Sequence, residues 1–101
     1  MRLIDRKRII QAYTTYPTAK KQLIEWYSTM KQSSYRNLVE LRQTFPHADP
    51  VGRAIVFNIK GNDFRLITSI HFNAQTCYIL EVLTHEQYDT DIWKTRWSVF
   101  D

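Results

Sequence analysis

Val56-Phe57-Asn58-Ile59-Lys60-Gly61-Asn62-Asp63-Phe64-Arg65-Leu66-Ile67 begins the stretch that decides the fold, and residues 56–89 close on Thr84-His85-Glu86-Gln87-Tyr88-Asp89. Successive side chains of a β-strand point to opposite faces, so alternation of apolar and polar residues marks a strand. Ile55, Phe57 and Ile59 share one side, with Val56, Asn58 and Lys60 on the other. Gly61-Asn62 is a pair that tolerates the positive φ of a tight reversal. In the next run Phe64, Leu66, Thr68, Ile70 and Phe72 alternate with Arg65, Ile67, Ser69, His71 and Asn73. Asn73-Ala74-Gln75 predicts a second reversal, after which Tyr78, Leu80 and Val82 alternate with Cys77, Ile79, Glu81 and Leu83. The pattern predicts three antiparallel strands, each with an apolar and a mixed face. Aligned mixed faces would put Asn58, Lys60, Arg65, His71 and Glu81 on one open surface, with His85 at its edge by the same parity. Basic, amide and imidazole groups on a sheet surface suit a phosphate-bearing ligand.

Upstream of this sheet, Leu3, Ile4, Ile9, Ile10 and Tyr13 fit either a short strand and a helix or one helix. Asp5 as a cap favours a helix over residues 5–14. Arg2, Arg6, Lys7 and Arg8 make this end basic, a pattern more typical of a solvated helix face than of a dedicated RNA contact. Pro17 suits the first turn of a second helix, in which Leu23, Trp26, Tyr27 and Met30 recur at core spacing. Asn37 and Glu40 have capping-box spacing for a third, short helix carrying Leu38, Leu41 and Phe45 and stopped by Pro46. Residues 47–52 read as a loop. Downstream, Thr84 and Gln87 predict a capped helix from His85, with Tyr88, Ile92, Trp93 and Trp97 as its buried stripe and Phe100 near its end.

A chain of 101 residues is expected to form a single domain over residues 1–101. Fourteen Lys and Arg against ten Asp and Glu leave a formal charge of +4, which suits an anionic partner. The lone Cys77 makes no internal disulfide, the opening Met1-Arg2-Leu3-Ile4-Asp5 lacks the apolar core of a signal peptide, and no apolar run approaches the roughly 20 residues that span a bilayer. A cytoplasmic protein without membrane association is expected. His47, His71, His85 and Cys77 lack metal-ligand spacing, and two glycines, Gly52 and Gly61, leave no Gly-rich phosphate loop. Neither a metal nor another cofactor is expected.

Val56-Phe57-Asn58-Ile59, Gly61-Asn62, Arg65 and Thr84-His85-x-x-Tyr88-Asp89, preceded by Trp26-Tyr27 and Leu41-x-x-x-Phe45-Pro46, resemble the HigB family of toxins from bacterial type II toxin-antitoxin systems. The similarity covers most of the chain. It implies a RelE-like α+β fold: N-terminal helices packed on one face of a small antiparallel β-sheet, with a short C-terminal helix. It also implies an mRNA interferase, an endoribonuclease that cleaves mRNA on translating ribosomes and so inhibits translation. The implied partner is a HigA-like antitoxin whose helix-turn-helix domain carries the complex to operator DNA. Arg65 matches the arginine that holds the scissile phosphate, His85 the histidine used for acid-base work, and Tyr88 a tyrosine of the closing motif. Lys60 departs from the pattern, since relatives often have Gly-Gly-Asn at this turn. Asn58, Lys60, Asn62 and His71 are the expected further RNA contacts.

RNA cleavage by the neighbouring 2′-hydroxyl without metal needs a base, an acid and cations for the phosphorane charge. His85 would supply one proton transfer, and Arg65 would clamp the phosphate in a bidentate geometry that lysine lacks. The second proton-transfer group would come from Tyr88, Glu81 or His71. Without the resemblance, His85 reads as a helix-start residue and Arg65 as an ion-pair partner of Glu81 or Asp63. The chain would then be a non-catalytic RNA- or ribosome-binding module, or a structural subunit of a repressor complex.

Overall fold

The computed structural model of the chain describes residues 1–97, so Phe100 of the expected C-terminal helix lies outside the described residues. In chain order the elements are β1 (Arg2–Ile4), α1 (Arg6–Thr15), a 3-10 turn (Pro17–Ala19), α2 (Lys20–Gln32), α3 (Leu38–Thr44), β2 (Asp49–Val51), β3 (Ala54–Ile59), β4 (Phe64–His71), β5 (Thr76–Thr84), α4 (His85–Asp89) and a second 3-10 turn (Ile92–Thr95). The strands form one sheet in the order β1-β5-β4-β3-β2. β3, β4 and β5 are the three antiparallel strands predicted by alternation.

The sheet is wider than alternation foresaw, and it is mixed. β1 lies parallel to β5, with Leu3 opposite Cys77, and β2 adds an antiparallel edge beside β3. Three residues are too few for a period-2 pattern to register. Asp5 ends β1 in the left-handed region at φ 79. Its carboxylate makes no helix cap and instead pairs with Arg8 Nε at 2.5 Å. Residues 47–52, expected to be loop, contain β2, whose Pro50 is tolerated because an edge strand can spare one N–H.

One face of the sheet carries the main core. Leu23, Trp26 and Met30 of α2 and Leu41 of α3 are buried against Phe57, Leu66, Cys77 and Ile79. Phe57 receives edge-on contacts from Trp26 at 5.3 Å and Phe45 at 5.2 Å, geometries that add to the gain from burial. Tyr27, expected in the core, is half-buried at its margin beneath the Arg6 guanidinium. The capping box of α3 is half made. Asn37 accepts from the Glu40 N–H, but the Glu40 carboxylate turns to the Arg36 N–H and guanidinium.

The other face was expected to be open and is instead partly covered. Val56, Ile67 and Leu83 project there, and Trp93 is fully buried against them, with Leu80, Tyr88 and Trp97 around the rim. Val56 and Ile67, paired across β3 and β4, and Leu83, diagonal to Ile67 on β5, favour a cover, and the chain after β5 folds back to provide it. That cover is a broken element. α4 keeps its predicted capping box, with Thr84 Oγ1 accepting from the Gln87 N–H and Gln87 Oε1 accepting from the Thr84 N–H. It ends after five residues, and Asp91 at φ 61 starts the 3-10 turn. The break changes the helical phase, so Ile92 is 60% exposed whereas Trp93 is buried.

A β-bulge corrects the expected faces of β5. Ile67 pairs with Glu81 but Thr68 pairs with Ile79, which leaves Leu80 as an extra residue. Cys77, Ile79 and Val82 therefore face the helices, while Leu80 and Leu83 face the second cluster. The Leu80 carbonyl accepts a hydrogen bond from Arg8 Nη1, and the same guanidinium lies 5.0 Å over the Trp97 ring. α1, the bulge and the C-terminal cover are thus tied by one side chain.

Candidate active site

The β3–β4 turn brings the candidate residues to one end of the sheet. Its left-handed positions are Lys60 (φ 53) and Gly61 (φ 62), one residue earlier than the expected Gly61-Asn62 pair. Glycine takes this conformation at little cost, whereas Lys60 is held there by the turn. Phe64 then pairs with Thr84 and Arg65 with Leu83, so β4 starts beside the residue from which α4 grows. The backbone N–H of His85 donates to the Asp63 carbonyl at 3.0 Å, fixing the start of α4 to the turn.

Arg65, Asn62, His85 and Tyr88 meet here. Arg65 Nη1 donates to the carbonyls of Asn62 at 3.0 Å and Phe64 at 3.2 Å. Nη2 lies 3.4 Å from both Asn62 Oδ1 and His85 Nδ1. The guanidinium carbon sits 5.4 Å over the Tyr88 ring. Among the described residues these partners are all neutral or imidazole groups. The two carboxylates expected to neutralise Arg65 are engaged elsewhere: Glu81 binds Arg96 at 2.9 Å and accepts from Trp97 Nε1 at 3.1 Å, and Asp63 lies 4.0 Å from Lys60 Nζ. An arginine oriented by neutral groups on a surface keeps its charge available to an anion.

The imidazole of His85 is held on both nitrogens, with Nε2 at 3.0 Å from Asp89 Oδ2, one helical turn on, and Nδ1 facing Arg65. Tyr88 is half-buried and stacked on Trp93, ring centroids 5.1 Å apart and planes 19° from parallel. Trp93 Nε1 donates to the Tyr88 carbonyl at 3.0 Å, which braces the stack. Burial, and next the charge of Asp49 on β2, push the Tyr88 phenol above its ordinary range, so it stays a neutral hydrogen-bond donor.

The remaining sequence candidates divide. Asn58 is the half-buried cross-strand neighbour of Arg65, and Lys60 is an exposed turn residue beside it. His71 is not part of the cluster. It lies at the opposite end of β4, six residues or about 20 Å along the strand, edge-on against Tyr78 at 5.4 Å. Glu81 is bound to Arg96 and Trp97 and is likewise not free to join. Asp89 is the addition; its place four residues after His85 in a helical reading was the signal that could have found it. The site is an open surface. A groove of about 690 Å³ between α1 and the β5–α4 segment, lined in part by Lys7, Arg8, Gln87 and Arg96, includes none of Arg65, His85 and Tyr88.

The family model HigB_toxin, described as the RelE-like toxic component of a toxin-antitoxin system, matches residues 19–91. The chain belongs to the HigB toxin family. The mRNA interferase toxin HigB of Escherichia coli strain K12 is 34% identical to it over 101 residues, covering 95% of this chain and 97% of that protein. The mRNA interferase HigB of Escherichia coli O157:H7 matches to the same extent, and that of Escherichia coli O6:H1 is 24% identical over 92 residues, covering 88% and 89%. The span matched to the HigB family includes the turn, Arg65 and α4. The α+β, RelE-like class expected of a HigB toxin is the one the chain has, with β1 and β2 widening the sheet. As the toxic component of such a system, this HigB toxin has an antitoxin partner.

Proposed function

We propose that this HigB toxin is an mRNA interferase, an endoribonuclease that cuts mRNA on the ribosome, without metal, by attack of the 2′-hydroxyl on the adjacent phosphorus. The observation that carries the reading is the Arg65 guanidinium, unneutralised by any carboxylate among the described residues and 3.4 Å from the imidazole of His85. Curated relatives named mRNA interferase over nearly the full chain support the same activity.

Arg65 holds the scissile phosphate through its planar fork and offsets the charge that builds on the phosphorane. His85 takes the 2′-hydroxyl proton, the 2′-oxygen bonds to phosphorus, and the bond to the 5′-oxygen breaks. The leaving oxygen is protonated by a donor, for which the neutral Tyr88 phenol, whose ring lies under the Arg65 guanidinium, is the candidate within the cluster. The products are a 2′,3′-cyclic phosphate and a 5′-hydroxyl. Asn58, Asn62 and Lys60 flank the phosphate position as RNA contacts. The toxin acts in the cytoplasm, where a HigA-like antitoxin with a helix-turn-helix domain silences it and takes the complex to operator DNA.

The test is induction of the toxin without its antitoxin, with mRNA 5′ ends mapped for the wild type, Arg65→Ala and His85→Gln. New ends within translated frames that vanish in both variants are expected. Growth arrest with no new ends would replace the nuclease by a non-catalytic ribosome-binding module. No arrest at all would leave a structural subunit of a repressor complex.

A further inference from the structure

We infer that Asp89 is a positioning residue for His85, and that Nδ1 is the ring nitrogen that receives the 2′-hydroxyl proton. The inference rests on the nuclease reading above. Nε2 of His85 faces Asp89 Oδ2 at 3.0 Å, and a carboxylate only accepts hydrogen bonds, so Nε2 carries the hydrogen. Nδ1 faces Arg65 Nη2 at 3.4 Å, and a guanidinium only donates, so Nδ1 presents a lone pair to it. An acceptor on one side and a donor on the other specify the same neutral tautomer.

The consequence is directional. The lone pair of His85 points to the side on which Arg65 would hold a phosphate, and the N–H points away from it toward α4. A phosphate seated on Arg65 brings the neighbouring 2′-hydroxyl to Nδ1. Proton transfer then gives an imidazolium between Asp89 and the phosphate, with the proton on Nδ1 and the carboxylate opposite the retained N–H. The β3–β4 turn adds Asp63 and Lys60, 4.0 Å from each other, with Asp63 meeting His85 through its backbone carbonyl, and Asp49, Lys94 and Asp91 lie near enough for their charges to act on the Tyr88 phenol. The Asp89 side chain is 58% exposed, so water screens its charge and its main effect is on ring orientation. Without it the imidazole is free to turn about χ2.

Two measurements on Asp89→Asn, Asp89→Ala and Asp89→Glu test this. The first is the cleavage rate of a translated mRNA beside the affinity for the same RNA carrying 2′-deoxy ribose at the cut. The second is the ring ¹⁵N spectrum of the histidines in the RNA-free protein, with His85 assigned by its loss in His85→Gln. Expected are a wild-type His85 hydrogen on Nε2, a mixed-tautomer spectrum in Asp89→Asn and Asp89→Ala, and cleavage slowed about 10- to 100-fold with affinity unchanged. Asp89→Glu should recover part of both readouts. A wild-type rate in Asp89→Ala, or a wild-type His85 hydrogen on Nδ1, would overturn the inference. His85→Gln cleaving at the wild-type rate would overturn the nuclease role of His85 instead, a failure told apart because the ring spectra do not depend on cleavage.

Discussion

Arg65 and Cys77 show how much a single side chain's surroundings decide. Arg65 is oriented by two carbonyls, an amide and an aromatic face. Lysine keeps the charge but neither the fork nor the stacking plane, so Arg65→Lys should lose most of what Arg65→Ala loses, about 10- to 100-fold in cleavage rate. A relative cleavage assay of the two variants checks this; near-wild-type activity for lysine would mean that only charge is used. Cys77 is fully buried, and burial pushes its thiol from the ordinary 9.0 up to about 12, against a weaker opposing hydrogen bond from Thr68. The thiol should resist iodoacetamide at pH 8 in the native state and react once unfolded, as mass spectrometry would show. Because the folded state prefers the protonated thiol, the stability this preference gives is complete below pH 9 and is lost as pH rises toward 12. Urea melts of the wild type and Cys77→Ala across that range should converge if the thiol is the cause. Alternation alone made Arg65 legible as a surface cation. It gave His71 the same face, but a shared face does not bring two residues together: six residues along the strand separate them, at opposite ends of β4.

At the scale of elements, the three central strands and the starts of α3 and α4 were legible because each has a local cause in adjacent residues: alternation, an Asn cap, a Thr–Gln box. β1 was legible only as one of two readings of residues 3–13, and β2, the break at Asp91 and the bulge at Leu80 were not legible, because each depends on a partner far along the chain or on one residue without a compositional signature. Arg8 illustrates the first kind of dependence, donating to the carbonyl of Leu80, the residue left over by the bulge and 72 positions away. Arg8→Met should keep the aliphatic stem but remove this bond, the Asp5 pair and the Trp97 contact, lowering stability by about 1–3 kcal/mol in denaturant melts. An unchanged midpoint would mean that water replaces Arg8 without loss. Thr84→Ala should cost about 1 kcal/mol through the lost cap. Its cleavage rate should fall further than global stability predicts, since α4 carries both His85 and Tyr88.

For the whole molecule, two apolar layers on opposite faces of one sheet leave the site on the rim where the β3–β4 turn meets α4. Such an open rim accepts a polymer more readily than a small molecule, and a formal charge of +4 favours an anionic one. RNA binding by the His85→Gln variant should weaken linearly in log K against log salt, with a slope near −0.7 for each phosphate neutralised on a single strand. A flat salt response would show that the charge is not used for RNA. The surplus residue in β5 has the widest reach. Cys77 and Ile79 look toward the helices, and an uninterrupted count of twos from them would send Glu81, Leu83 and His85 the same way, under α1. One additional residue reverses that count and delivers the end of the strand to the far side. Were Leu80 drawn into an ordinary place in the ladder, the toxin's working end would turn inward, whereas removing Leu80 outright would leave a regular strand with Glu81 and Leu83 on the faces they have now, so the geometry of an entire site depends on one residue being left out of the count.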